Sequence, residues 1–88
     1  MKLRVWHIPQ VPMKAFYVDV SSIEEAWKIL NILWDYDIFQ YENKVKPDYC
    51  NVSGLQYYDE EEKEWLDWHD EDDYDITEHF RNLEEEKD

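Results

Sequence analysis

The sequence predicts an α+β domain: an antiparallel sheet of two hairpins, packed by one main amphipathic helix, with a short C-terminal helix. Three observations lead there. Two alternating runs flank a proline-bounded connection near the N-terminus, a long helical stripe follows, and a second pair of alternating runs precedes a short amphipathic end. At 88 residues the chain makes a small single domain, 1–88, with its acidic tail from about 84 to 88 expected to fray.

The first run, "KLRVWHI" (Lys2–Ile8), sets Leu3 and Val5 against Lys2 and Arg4 and is rich in strand-formers. "IPQVPMK" reads as a connection, because Pro9 and Pro12 interrupt any ladder. "AFYVDV" (Ala15–Val20) alternates again, with Phe16, Val18 and Val20 on one face, and completes a hairpin.

The helical segment is announced by Ser22 and Glu25, the spacing of a capping box. Ile23, Ala26, Trp27, Leu30, Leu33 and Trp34 then repeat along one helical face. The helix runs from about Ile23 to Trp34 or beyond. Ile38, Phe39 and Tyr41 in "DYDIFQYENK" suit either its continuation or a second short helix.

"VKPDYCNVSG" reads as a loop through Pro47, Asp48, Asn51, Ser53 and Gly54. "GLQYYD" and "WLDWHD", joined by "EEEKE", form the second hairpin. The last element, "DITEHFRNLEEEKD", spaces Ile76, Phe80 and Leu83 as a helical stripe, with Asp75 and Glu78 as a cap pair.

Composition narrows the functional classes. Aromatic residues make up 17% of the chain, five of them tryptophan, so it can build a core despite 36% charged residues. The net charge of −14 is unevenly spread. Residues 1–50 hold six basic and seven acidic side chains, whereas residues 51–88 hold three and sixteen. Direct nucleic-acid or anionic-membrane binding is disfavoured, since phosphates would be repelled. One cysteine, Cys50, cannot form an internal disulfide. The N-terminus lacks the apolar run of a signal peptide and no stretch is long enough to span a bilayer. The expectation is a cytoplasmic protein.

Catalytic and metal chemistry find no motif. A calcium loop begun at Asp70 would need glycine at its sixth position and glutamate at its twelfth, where Asp75 and Arg81 stand. His7, His69, His79 and Cys50 are too scattered for a zinc site, and His7 and Cys50 read as ordinary strand and loop residues. Asp70 and Asp72 beside His69 read as a solvated acidic surface rather than an ion site. Gly54 is the sole glycine, so there is no phosphate-binding loop. The chain is expected to be no enzyme and to use no cofactor.

What remains is an acidic surface containing aromatics. Asp59, Glu60, Glu61 and Glu62 precede Lys63; Glu64, Trp65, Asp67 and Trp68 follow; Asp70, Glu71, Asp72 and Asp73 come next. These residues are the candidate partner-binding site. On one face of a strand, alternate residues lie about 6.8 Å apart. Asp59, Glu61, Asp67 and the run from Asp70 could thus form a charge ladder resembling the phosphates of DNA, spaced about 3.4 Å along each strand. Trp65 and Trp68, three apart, should point to opposite faces, and with Leu66 they are expected to anchor the strand in the core. The expected partner is a protein with a basic, nucleic-acid-binding surface. Two other readings stand beside the mimic: acidity for solubility alone, and an acidic adaptor that docks on a host enzyme through its aromatic surface.

"LRVWHIPQVPMKAFYVDV", "EEAWKILNIL", "DIFQYENKVKPDYCN" and "GLQYYDEEEKEWLDW" together resemble a family of small bacteriophage proteins catalogued as superinfection exclusion proteins. The resemblance covers most of residues 2–68. It implies a phage factor that acts inside a bacterium against another phage or a host defence, and it carries over no catalytic motif.

Overall fold

A computed structural model describes residues 2–44 and 51–86. Cys50 and most of the expected loop "VKPDYCNVSG" lie outside them, as do residues 87–88 of the tail. The elements run β1 (Leu3–Ile8), β2 (Phe16–Val20), α1 (Ile23–Glu42), β3 (Val52–Asp59), β4 (Glu64–Asp67) and α2 (Ile76–Glu86). The strands form one antiparallel sheet in the order β2-β1-β3-β4. The two predicted hairpins are therefore joined edge to edge through their first strands.

Strand alternation decides which residues face the helices. Leu3, Val5 and His7 of β1 lie beside Val20, Val18 and Phe16 of β2, and beside Tyr57, Leu55 and Ser53 of β3. Leu3, Val5, Val20 and Leu55 join Ala26, Leu30 and Ile76 in the buried core. Fully burying a side chain of this kind contributes about 1.5–3 kcal/mol, so these few residues carry much of a small domain's stability.

Helix α1 starts where the capping residues place it. Ser22 is extended, and its Oγ accepts the Glu25 N–H at 3.1 Å. The glutamate answers one residue earlier than a capping box requires, accepting from the Ser21 N–H at 3.2 Å and its hydroxyl at 3.3 Å. "DYDIFQYE" continues the helix to Glu42, where Asn43 caps it by donating from its side chain to the Phe39 carbonyl at 2.8 Å.

One boundary differs from expectation. Strand β3 begins at Val52, so Val52, Ser53 and Gly54 belong to the ladder with β1 and not to a loop. Pairing with Ile8, His7 and Trp6 overrides the turn propensity of Ser53 and Gly54. Helix α2 spans Ile76–Glu86. Asp75 caps it through Oδ1, which accepts the Glu78 N–H at 2.9 Å.

Both helices lie on one face of the sheet. Trp27 of α1 stacks on Phe80 of α2, with ring centroids 4.9 Å apart and planes at 10°, and Ile76 reaches the core. Trp27 and Trp34 meet edge to face and pack against the core as expected. No helix among the described residues is long and apolar enough to cross a membrane.

Candidate functional site

The candidate residues gather along the β4 edge of the sheet and around its two ends. Asp59 closes β3, Glu60–Lys63 make the turn, and β4 carries Glu64 to Asp67. Trp68, which donates its N–H to the Leu55 carbonyl at 2.9 Å, leads into the loop holding Asp70 to Asp73. The carboxylates of Glu60, Glu61, Glu62, Glu64, Asp67, Glu71, Asp72 and Asp73 are exposed.

The ladder does not form as one line. Glu61 sits in the turn, and Asp67 shares the outer face with Trp65, opposite the face of Glu64 and Leu66. The strand is too short to carry the whole series. The acidic groups instead form two clusters, one at each end of β4.

Each cluster is held by an aspartate that spends an oxygen on its own loop. Asp59 Oδ1 accepts the N–H groups of Glu61 at 2.9 Å and Glu62 at 3.4 Å, and Lys63 completes the turn with φ 55°. Asp70 Oδ1 accepts from Asp72 at 2.8 Å and Tyr74 at 3.0 Å, while Oδ2 meets His79 Nδ1 at 2.8 Å. Desolvation works against the Asp70 charge. The His79 hydrogen bond, the Tyr74 and Asp72 amides and the His79 charge outweigh it, holding the carboxyl below its usual range. His79 is in turn fixed edge-on against Trp68 and Phe80, at 5.5 and 5.0 Å. Between this loop and α2 lies a depression of about 840 Å³, whose walls include Trp68, Asp72, Tyr74 and Leu83.

The two tryptophans separate as their spacing requires. Trp68 packs against the core on the helix side. Trp65 corrects the expectation of a shared core anchor: it lies on the outer face, where Arg4 sits over its ring at 4.1 Å and Tyr58 meets it edge-on. Two positions later on the same strand, Asp67 shares that face.

Sequence reasoning missed a polar cluster in the interior. His7 and Asp37 are 1% and 2% exposed, and His7 Nε2 lies 2.8 Å from Asp37 Oδ2. Asn51 Nδ2 donates to the same oxygen at 2.7 Å. A carboxylate oxygen accepts, which assigns the donor hydrogen to His7 Nε2. The signal was present in two patterns: His7 occupies the third inward position after Leu3 and Val5, and Asp37 extends the inward series of buried Ala26, buried Leu30 and half-buried Leu33. The cluster joins α1 to β1 and to the start of β3. Among the described residues, no group of three or more His, Cys, Asp or Glu side chains is arranged to hold a metal ion.

The sequence model of the family described as Superinfection exclusion gene product 17 matches residues 2–87, nearly the whole chain. The chain belongs to that family. A superinfection exclusion protein of Salmonella phage P22 is 52% identical to it over 82 residues, covering 81% of this chain and 80% of the relative. No solved structure matches. Within this superinfection exclusion family member, the match reaches from β1 through α2, so the acidic loops and the α2 surface lie inside the family region.

Proposed function

We propose that this chain serves superinfection exclusion by binding, without catalysis, a basic surface on a nucleic-acid-handling protein in the bacterial cytoplasm. Its acidic β4 edge stands in for a nucleic-acid backbone. One observation carries the reading: Asp59 and Asp70 lock both acidic loops by side-chain-to-backbone hydrogen bonds, so the charge is held in shape. Prearranged charge loses less entropy on docking than a flexible acidic tail would. The partner's arginines and lysines would meet carboxylates already exposed at both ends of β4.

The test is capture of partners on the immobilised chain, with elution by rising salt. A matched chain carries Glu60, Glu61, Glu62, Glu64 and Glu71 changed to Gln, and Asp72 and Asp73 to Asn. Loss of a salt-eluted partner from the neutralised chain supports the mimic, and added DNA should compete with that partner. Capture that survives neutralisation and ignores salt refutes it.

A second reading, docking through aromatics without mimicry, has its own observation. Ile32, Tyr36 and Phe39 form an outward stripe on α1, each more than half exposed. Partner capture abolished by Tyr36→Ala and Phe39→Ala, but not by charge neutralisation, would favour it.

A further inference from the structure

An antiparallel sheet covered on one side usually turns polar residues to water on the other. Here the outer face does not follow that rule. It carries Trp6, Ile8, Tyr17, Tyr58 and Trp65 around a central arginine. Strand register places Asp19, Arg4, Gln56 and Asp67 in one row across all four strands, a carboxylate on each edge strand and the guanidinium between.

Arg4 is held in place. Its guanidinium carbon lies 3.8 Å from the Tyr17 ring centre and 4.1 Å from that of Trp65, and Nε donates to Gln56 Oε1 at 2.9 Å. Asp19 is its register neighbour, yet Arg4 makes no ion pair with any carboxylate among the described residues. Lys2 sits over Tyr58 on the same face, at 5.5 Å. Lys2 and Arg4 balance Asp19 and Asp67, giving this face zero formal charge on a chain of −14.

We propose that the outer sheet face is the contact surface between two copies of this chain, with Arg4 of each meeting an edge carboxylate, Asp19 or Asp67, of the other. A strongly charged partner of either sign gains nothing from a neutral face. A second copy brings a surface that is neutral, aromatic and self-complementary, as a two-fold interface requires. Elsewhere two such acidic molecules repel each other. The face is about 20 Å on a side, from strands ~4.8 Å apart and ~3.4 Å per residue, which puts the contact at the small, reversible end of specific interfaces. Both helices lie behind the sheet, and on this face Tyr17 is exposed while Trp6, Ile8, Tyr58 and Trp65 are half-buried. The dimer would turn both acidic edges outward, but it does not depend on what they bind.

Analytical ultracentrifugation of the full chain from ~1 to ~300 µM spans the affinity range of such an interface. The expected result is a monomer–dimer equilibrium that tightens from roughly 0.05 to 0.5 M salt, because screening removes long-range repulsion. Partner capture by the acidic edge should instead weaken with salt, so the two proposals fail separately. Arg4→Glu and, independently, the exposed-site change Tyr17→Glu should each weaken the dimer by about tenfold or more, a shift of roughly 1.4 kcal/mol. Circular dichroism melts verify that each variant is folded, and Tyr17→Glu decides the matter if Arg4→Glu does not fold. Mixing Arg4→Glu with an Asp19→Lys, Asp67→Lys chain should restore pairing between unlike copies. A monomer at every concentration and salt overturns the proposal. So does a dimer indifferent to Tyr17→Glu, or one abolished by Ile32→Asp and Phe39→Asp on α1.

Discussion

The two faces of strand β1 meet one difficulty in two ways. Each must house a nitrogen-rich side chain among hydrophobic neighbours. Inside, His7 is closed off from water and receives a carboxylate from Asp37, itself steadied by Asn51. Outside, half-buried Arg4 receives two aromatic rings and an amide oxygen. The difference follows from water. A fully enclosed polar group needs directional hydrogen bonds, whereas a half-open guanidinium keeps part of its hydration and can rest on aromatic faces. The inner arrangement should therefore be costly to break, and the outer one mild.

The strongest test of that contrast is Asp37→Ala. It strands His7 in the interior, and the expected loss is about 3–5 kcal/mol, measured by urea unfolding. The paired change His7→Leu, Asp37→Leu should recover part of that loss, because the imidazole is no longer left unmatched, while Asn51 still loses its acceptor. Recovery no better than the single variant would show that the pair does more than satisfy itself. Next in size is Gly54→Ala. A Cβ there would lie 2.7 Å from Trp6 Nε1, so the indole must move, at about 1–3 kcal/mol. A melting temperature unchanged by that substitution would mean that the outer aromatics are loosely held.

Arg4→Met keeps the aliphatic stem and removes two cation–ring contacts, with an expected loss of about 1–2 kcal/mol. If it equals the cost of Asp37→Ala, access to water does not distinguish the inner and outer faces. The smallest effect concerns Asp70. Its folded pKa is depressed, so its contribution is complete above the ordinary carboxylate value of about 3.9 and disappears as pH falls through the lower folded value. Acid titration of stability should show Asp70→Asn flattening that part of the curve and leaving neutral pH less changed than Asp37→Ala does.

The elements were legible where one physical pattern ran uninterrupted. Ser22 marked the start of α1, and Phe80 and Ile76 marked the inner side of α2, because capping and helical periodicity are local. The end of α1 was not legible: Ile38, Phe39 and Tyr41 lie on its exposed sides and obscure the stripe that ends in buried Asp37. The site was read in part. Its acidic residues were placed on a hairpin and the following loop, but the ladder failed because a four-residue turn intervenes. Trp65 was misassigned for another reason. Alternation separates two faces without saying which one the helices will cover, and Arg4, sixty-one positions earlier, supplies the neighbour that makes the outer position favourable.

The strand order has a consequence for how the molecule comes into being. The central pairing, β1 with β3, joins Leu3 to Tyr57 and Ile8 to Val52. A ribosome that has released only the first hairpin and α1 has therefore produced an unfinished sheet, with the inner edge of β1 unclaimed. Isolated hairpins are at best marginal in water. Closing so distant a pairing costs loop entropy before it returns any contact, which slows folding. The near-neutral first half must wait for the acidic second half. Nascent-chain force measurements should find folding onset only after β3 has left the exit tunnel.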